Sequence, residues 1–223
     1  MFAGIPAFRQ GCSTFRLKYA IASGDIMAWY MILINLCARI FVVLILFSVL
    51  CRTAIIRETI NTLHEKIRSK VKLVLFFSVF GGLDLFCGTL LPTVVVNNHS
   101  TYVISAGLIG GPVAGAATAV IISLISVALI KPAVVLSIVL TVAEGIIAGM
   151  LSKWLQKQNY NFVHAGAIAY ALTSLYLAFV ALFPPNFLPV PFTMEDIIFP
   201  LLFSVTVGTG SFIGLLEYFY NQQ

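Results

Sequence analysis

The chain has 223 residues, 60% of them hydrophobic and only 9% charged, with a mean hydropathy of +1.03. Soluble domains carry about a quarter charged residues, so this composition excludes a soluble enzyme or binding module and marks a polytopic membrane protein. The net charge of +5 is of the kind membrane proteins hold in cytoplasmic Lys and Arg, and no soluble domain offers nucleic acid a basic surface.

Residues 1–26 hold Arg9, Arg16, Lys18 and Asp25 and are too polar to span, so they read as a polar tail or interfacial segment. They are no signal peptide: the first long apolar run starts near Met27, exceeds a signal core in length and lacks a convincing cleavage site. That run, Met27 to Cys51, is long enough to cross a bilayer. It carries Asn35 and Arg39, four apart and therefore on one helix face. Residues 52–72 hold six of the thirteen Lys/Arg, with Ile56, Ile60, Leu63, Ile67 and Val71 at helical spacing between them. The pattern predicts a basic amphipathic segment lying on an anionic membrane surface.

A second span is predicted over about Leu73 to Leu91 and carries Asp84. Asn97, Asn98, His99, Ser100 and Thr101 then stand at the membrane edge. They suit either the mouth of a pocket or a loop that caps the next helix. The apolar stretch Tyr102–Ile130 follows, too long for one untilted span and interrupted at Gly110-Gly111-Pro112. A fourth span runs over about Val134–Leu151, followed by a polar link at Lys153–Gln158. A fifth covers about His164–Phe183, and a sixth about Ile197–Tyr218, with a linker beginning at residues 219–223.

Charge asymmetry orients these spans only in part. The Pro184–Asp196 loop, with acids and no bases, belongs outside and Lys153/Lys157 inside, which puts the C-terminus in the cytoplasm. Six simple crossings then place the base-free Asn97 loop inside as well. Either that loop departs from the rule, or Tyr102–Ile130 is broken at Gly111 into unequal pieces, as buried backbone permits.

Small residues recur every four positions at Gly107, Gly111 and Gly115, and again at Thr141, Gly145 and Gly149, with Gly210 and Gly214 repeating the step in the last span. In water each glycine weakens a helix by roughly 1 kcal/mol; in lipid such steps let helix backbones approach closely. Together with Pro112 these glycines are the expected packing positions. The fold class is therefore all-α, with about six transmembrane helices packed through glycine-rich faces.

Ionisable residues inside spans are site candidates by default, and here they are Arg39, Asp84 and Glu144. The competing reading pairs Arg39 with Asp84 or Glu144 as internal glue. Cys12, Cys37, Cys51 and Cys87 show no metal-ligand spacing, and no cofactor is expected. Catalytic signatures are missing, and GTGSFIG (Gly208–Gly214) lacks the lysine of a phosphate loop.

The run from Asn97 and His99 through AGLIGGPVAG (Ala106–Gly115) to AEGIIAG (Ala143–Gly149) resembles the LytS/YhcK-type five-transmembrane receptor domain. CRTAIIRETI (Cys51–Ile60) and Phe80-Gly81-Gly82 match the approach to it, and the likeness covers about residues 30–218. The resemblance implies a membrane sensor domain over 27–218 in the bacterial inner membrane. It also implies a small-molecule ligand and a cytoplasmic output, either a phosphorelay histidine kinase or a diguanylate cyclase. A homodimer is the assembly the analogy suggests. This chain departs from the family where Asn-Thr-Arg is replaced by Asn97-Asn98-His99, and where a later basic pair falls at Ile125-Ser126. Without those arginines a carboxylate ligand loses its forked anchor. The ligand site is expected at Asn97, Asn98, His99, Ser126, Ser137 and Glu144. The alternative function is the substrate-binding membrane subunit of a vitamin-type importer, which has a similar number of spans.

Overall fold

The structure, a computed structural model, describes residues 27–52, 67–86, 89–90, 95–96, 98–129, 135–157, 161–182 and 194–220. The tail at 1–26, the basic stretch 53–66, Asn97 and most of the Pro184–Asp196 loop lie outside these residues.

Helix α1, Met27–Cys51, has the bounds expected of the first span. Ile32, Leu36, Ile40, Val43, Phe47 and Cys51 form its buried face at steps of three and four. Ile34, Phe41, Ile45 and Val49 are equally apolar yet exposed. A helix apolar on all sides with one face turned outward is what lipid requires.

Helix α2 is Ile67–Phe86, and it buries Leu73, Phe77, Gly81 and Leu85 along one stripe. It begins six residues earlier than the apolar run, so residues 67–72 belong to this helix and not to a separate surface segment. Long basic side chains permit this, because Arg68, Lys70 and Lys72 can lay their stems along the helix and keep their charges at its end. The helix ends at Phe86, short of the Leu91 expected for the second span, and Thr89–Leu90 (β1) pairs antiparallel with Val95–Val96 (β2).

The long apolar stretch is divided, as the glycine-proline interruption allowed. Helix α3 is His99–Gly110 and α4 is Pro112–Leu129. Between them Gly111 has φ 83° and ψ −177°, a region open in practice only to glycine. Pro112 then opens α4, where its missing N–H costs nothing. At about 1.5 Å per residue the 12-residue α3 is about 18 Å long, too short to cross a membrane. Every residue of α3 from Ser100 to Gly110 is buried.

Helix α5 is Val135–Lys157, α6 is Phe162–Leu182 and α7 is Met194–Tyr220. Lys153–Gln158, read from composition as a link, is helical through Lys157; its lysines, leucine and glutamine are good helix formers without a Gly or Pro to stop them. Among the described residues four stretches are long and apolar enough to span: Ile32–Cys51, Ser137–Lys157, Phe162–Val180 and Ile198–Phe219. The shorter apolar helix Pro112–Ala128 accompanies them. Apart from the two-residue strands β1 and β2 the described elements are all helices, and the protein is a polytopic membrane protein.

The other helices are arranged around α3. It packs on α2, α4, α5, α6 and α7, while α1 lies on α7, α7 on α6, α6 on α5, α5 on α4 and α4 on α2. Aromatic rings join α1 to α2 and α7: Phe47 stands 5.3 Å from both Phe76 and Phe212, and Phe77 stands 5.5 Å from Phe212. Tyr102 of α3 reaches the same cluster, 6.2 Å from Phe212.

Candidate functional site

The polar side chains inside this bundle are positioned by the glycine contacts. A Cβ added to Gly145 of α5 would stand 2.5 Å from the Gly115 carbonyl oxygen of α4, and one on Gly107 of α3 would stand 2.7 Å from the Gly145 carbonyl oxygen. Three backbones therefore meet at one level, with Pro112 against Gly149 just beyond. Only glycine allows this approach. Gly111 differs from its neighbours: nothing lies within 4 Å of where its Cβ would be, so it turns the chain instead of packing it. Gly210 and Gly214 face Phe162 of α6, Gly210 closely at 2.9 Å and Gly214 at an ordinary 3.5 Å.

With α3 held in the centre, its first residues send side chains in two directions. Asn98, at the N-cap position, is fully buried and makes no capping bond with its side chain. Its backbone N–H donates to Asp84 Oδ2 of α2, and its amide Nδ2 donates to the Leu36 carbonyl of α1 at 3.1 Å. Ser204 Oγ of α7 donates to Asn98 Oδ1 at 2.7 Å. Arg39 Nη1 lies 3.7 Å from Asp84 Oδ1 as an ion pair, with side-chain exposures of 17% and 2%. Of the two partners considered for Arg39 in the sequence, the structure places it beside Asp84. This first network joins α1, α2, α3 and α7 and uses the hydrogen-bonding groups of Asn98 internally. Asn35 stands on the exposed side of α1.

The second network faces α5 and α6. Ser137, Thr141 and Glu144 occupy positions i, i+4 and i+7 of α5 and so share a face. Ser100 Oγ donates to Glu144 Oε2 at 2.9 Å. Thr141 Oγ1 lies 3.4 Å from His99 Nε2 and donates to the Ser137 carbonyl at 2.8 Å. Ser137 Oγ and Tyr176 Oη are 3.0 Å apart, and the Tyr176 ring meets the His99 ring edge-on at 6.4 Å. Glu144 is 4% exposed, and its second oxygen, Oε1, is buried without a hydrogen-bond partner. His99, Ser137 and Tyr176 are half-buried, so the cluster runs from a half-buried rim to a buried carboxyl group.

The residues singled out in the sequence thus divide. His99, Ser137 and Glu144 come together; Asn98 joins the Arg39–Asp84 network instead; Ser126 is half-buried on α4, and Asn97 lies outside the described residues. Tyr176 and Ser204 carried no sequence signal, since a tyrosine or serine in an apolar span is common and only its neighbour distinguishes it. Among the described residues no three His, Cys, Asp or Glu side chains gather as a metal site. The second network is a set of hydroxyls around one carboxyl group, suited to recognising a polar group.

The sequence model of the family described as "5TMR of 5TMR-LYT" matches residues 53–218, which take in both networks apart from Leu36 and Arg39. No curated protein and no solved structure matches the chain.

Proposed function

The chain belongs to the LytS-type five-transmembrane receptor family, and on that footing we propose that the Glu144 cluster is where this membrane sensory domain receives its signal. The observation that carries the reading is the half-satisfied carboxyl group of Glu144, buried among side chains from three helices with a half-buried rim beside it. Intramembrane ionisable groups left open in this way mark ligand or ion sites. A small ligand completing the cluster would favour one packing of α3 against α5 and α6. Asn98 is the residue before His99, so any shift of the α3 start is felt at Ser204 on α7. Helix α7 then carries it to a cytoplasmic output, either a phosphorelay histidine kinase or a diguanylate cyclase, at the bacterial inner membrane. A difference in ligand affinity for the two packings worth about 1–3 kcal/mol is sufficient for a switch.

The test is to place residues 1–223 in front of a kinase or cyclase catalytic core and compare Glu144→Gln and Ser137→Ala with the parent. At equal membrane levels and thermal stability, each variant is expected to shift basal output by at least about fivefold, the lower end of such couplings. Outputs that match the parent in both variants would sink the assignment.

A further inference from the structure

We infer that the Glu144 cluster recognises a primary ammonium group, an inference that rests on the sensor-site reading above and names its ligand class. The argument is a count of donors and acceptors. The cluster contains four hydroxyls and the His99 ring; three of the four hydroxyl protons are spent inside it, and the His99 Nε2 proton is directed at Thr141. Ser100 gives its proton to Glu144, Thr141 gives its proton to the Ser137 carbonyl, and one of Ser137 and Tyr176 donates to the other. Acceptors are left over. Glu144 Oε1 has no partner, and Thr141 Oγ1, having donated, accepts from His99 Nε2 at 3.4 Å and keeps one lone pair. The Ser137–Tyr176 pair also retains accepting capacity. A group that fits this surplus must bring donors.

A positive charge would suit the site as well. An ionised carboxyl group in the interior of a membrane bundle is stabilised by an opposite charge beside it. Among the described residues the one ion pair is Arg39 with Asp84, in the other network. The remaining described arginines and lysines stand at the end of α1, the start of α2 and the last turns of α5. Lys153 is nine residues along α5 from Glu144, about 13 Å away by helix rise. A carboxylate ligand would meet a second carboxyl group and a shortage of donors. An ammonium supplies three N–H donors and the missing positive charge.

The spacing of the cluster along α5 sets the scale of the ligand. From Ser137 at the rim to Glu144 is seven residues of α5, about 10 Å, so a short-chain amine reaches the carboxyl group while its tail stays at the rim. The ammonium can come from a free amine or from the ethanolamine headgroup of a lipid.

The full chain in nanodiscs of phosphatidylcholine, which has no primary amine, would be titrated calorimetrically with ethylammonium, ethanolamine and 1,4-diaminobutane. Tetramethylammonium and propionate are the comparison probes. A parallel preparation containing phosphatidylethanolamine tests the lipid source, through competition with ethylammonium. Saturable binding of the primary amines, weakened at least tenfold in Glu144→Gln and at least threefold in Tyr176→Phe, is the expected result. Ser137→Ala, at the rim, guards against misfolding of the Glu144 variant and should weaken binding similarly to Tyr176→Phe. Propionate binding more tightly than the amines, and lost in Glu144→Gln, would overturn the ammonium class and leave the site standing. Amine binding unchanged in all three variants would overturn both the class and the site. No binding by any probe would overturn the class, and the output of the Glu144→Gln fusion would then decide the sensor reading.

Discussion

Replacing Gly145 by alanine isolates what the central backbone contact is worth. The new Cβ would stand 2.5 Å from the Gly115 carbonyl oxygen and 2.7 Å from its carbonyl carbon. A comfortable carbon-to-carbonyl-oxygen distance is about 3.3–3.6 Å, so α4 and α5 must move apart by roughly 0.8–1.1 Å. No flexible side chain can give way, because both atoms are backbone. Overpacking of this kind costs about 1–3 kcal/mol, and the alanine returns at most about 1 kcal/mol of helix propensity. Because both clashing atoms are backbone, the upper part of that range, about 2–3 kcal/mol, applies, and the net expectation is destabilisation by about 1–2 kcal/mol. Gly214→Ala is the matched control: its Cβ would meet Phe162 at 3.5 Å, ordinary van der Waals contact. That variant should be neutral or more stable by up to about 1 kcal/mol. Reversible unfolding in mixed detergent micelles, followed by circular dichroism, measures both. Gly145→Ala within about 0.5 kcal/mol of the parent, or Gly214→Ala equally destabilised, would refute the reasoning from these contacts; the bound is set by the spread of ordinary surface substitutions.

Asn98→Ala removes two buried side-chain hydrogen bonds, to Leu36 and from Ser204. At about 0.6–1.7 kcal/mol each within membranes, a loss of about 1–3 kcal/mol is expected. A double-mutant cycle with Ser204→Ala should show coupling, and strictly additive losses would count against the pair. Gly111→Ala and Gly111→Asn should both cost about 1–3 kcal/mol, although nothing crowds the site; a well-tolerated asparagine would mean that the turn is not the one described. Arg39→Ala strips Asp84 of its cation and should cost about 3–5 kcal/mol. Adding Asp84→Asn is expected to recover more than half of that loss in the same unfolding assay.

Much of the fold was legible from local chemistry. A 60% hydrophobic chain with apolar runs of 18 residues and more has to satisfy its backbone within helices, whatever its tertiary arrangement. The bounds of α1 followed from that alone, and the interruption at Gly111-Pro112 followed from the conformations those two residues permit. Arg68 and Lys72 are exposed, as their charge suggests, but residues 67–72 extend α2 instead of lying in a separate segment, because composition does not mark where a helix begins.

The division of the polar residues was decided elsewhere. Asn98 and His99 are neighbours in the chain and were grouped together on that account. At a helix start consecutive side chains diverge by about 100°, so the two face different helices: Asn98 meets Leu36, Asp84 and Ser204, while His99 meets Thr141 and Tyr176. Periodicity marks which residues of a helix share a face. It does not say which helix lies opposite that face, and here the answer depends on contacts between residues as far apart as Asn98 and Ser204. The sequence by itself therefore determined the helices, their membrane setting and the glycine positions that allow close approach. Only the packing of the helices with one another decided that Arg39 faces Asp84, and that Glu144 keeps one oxygen open.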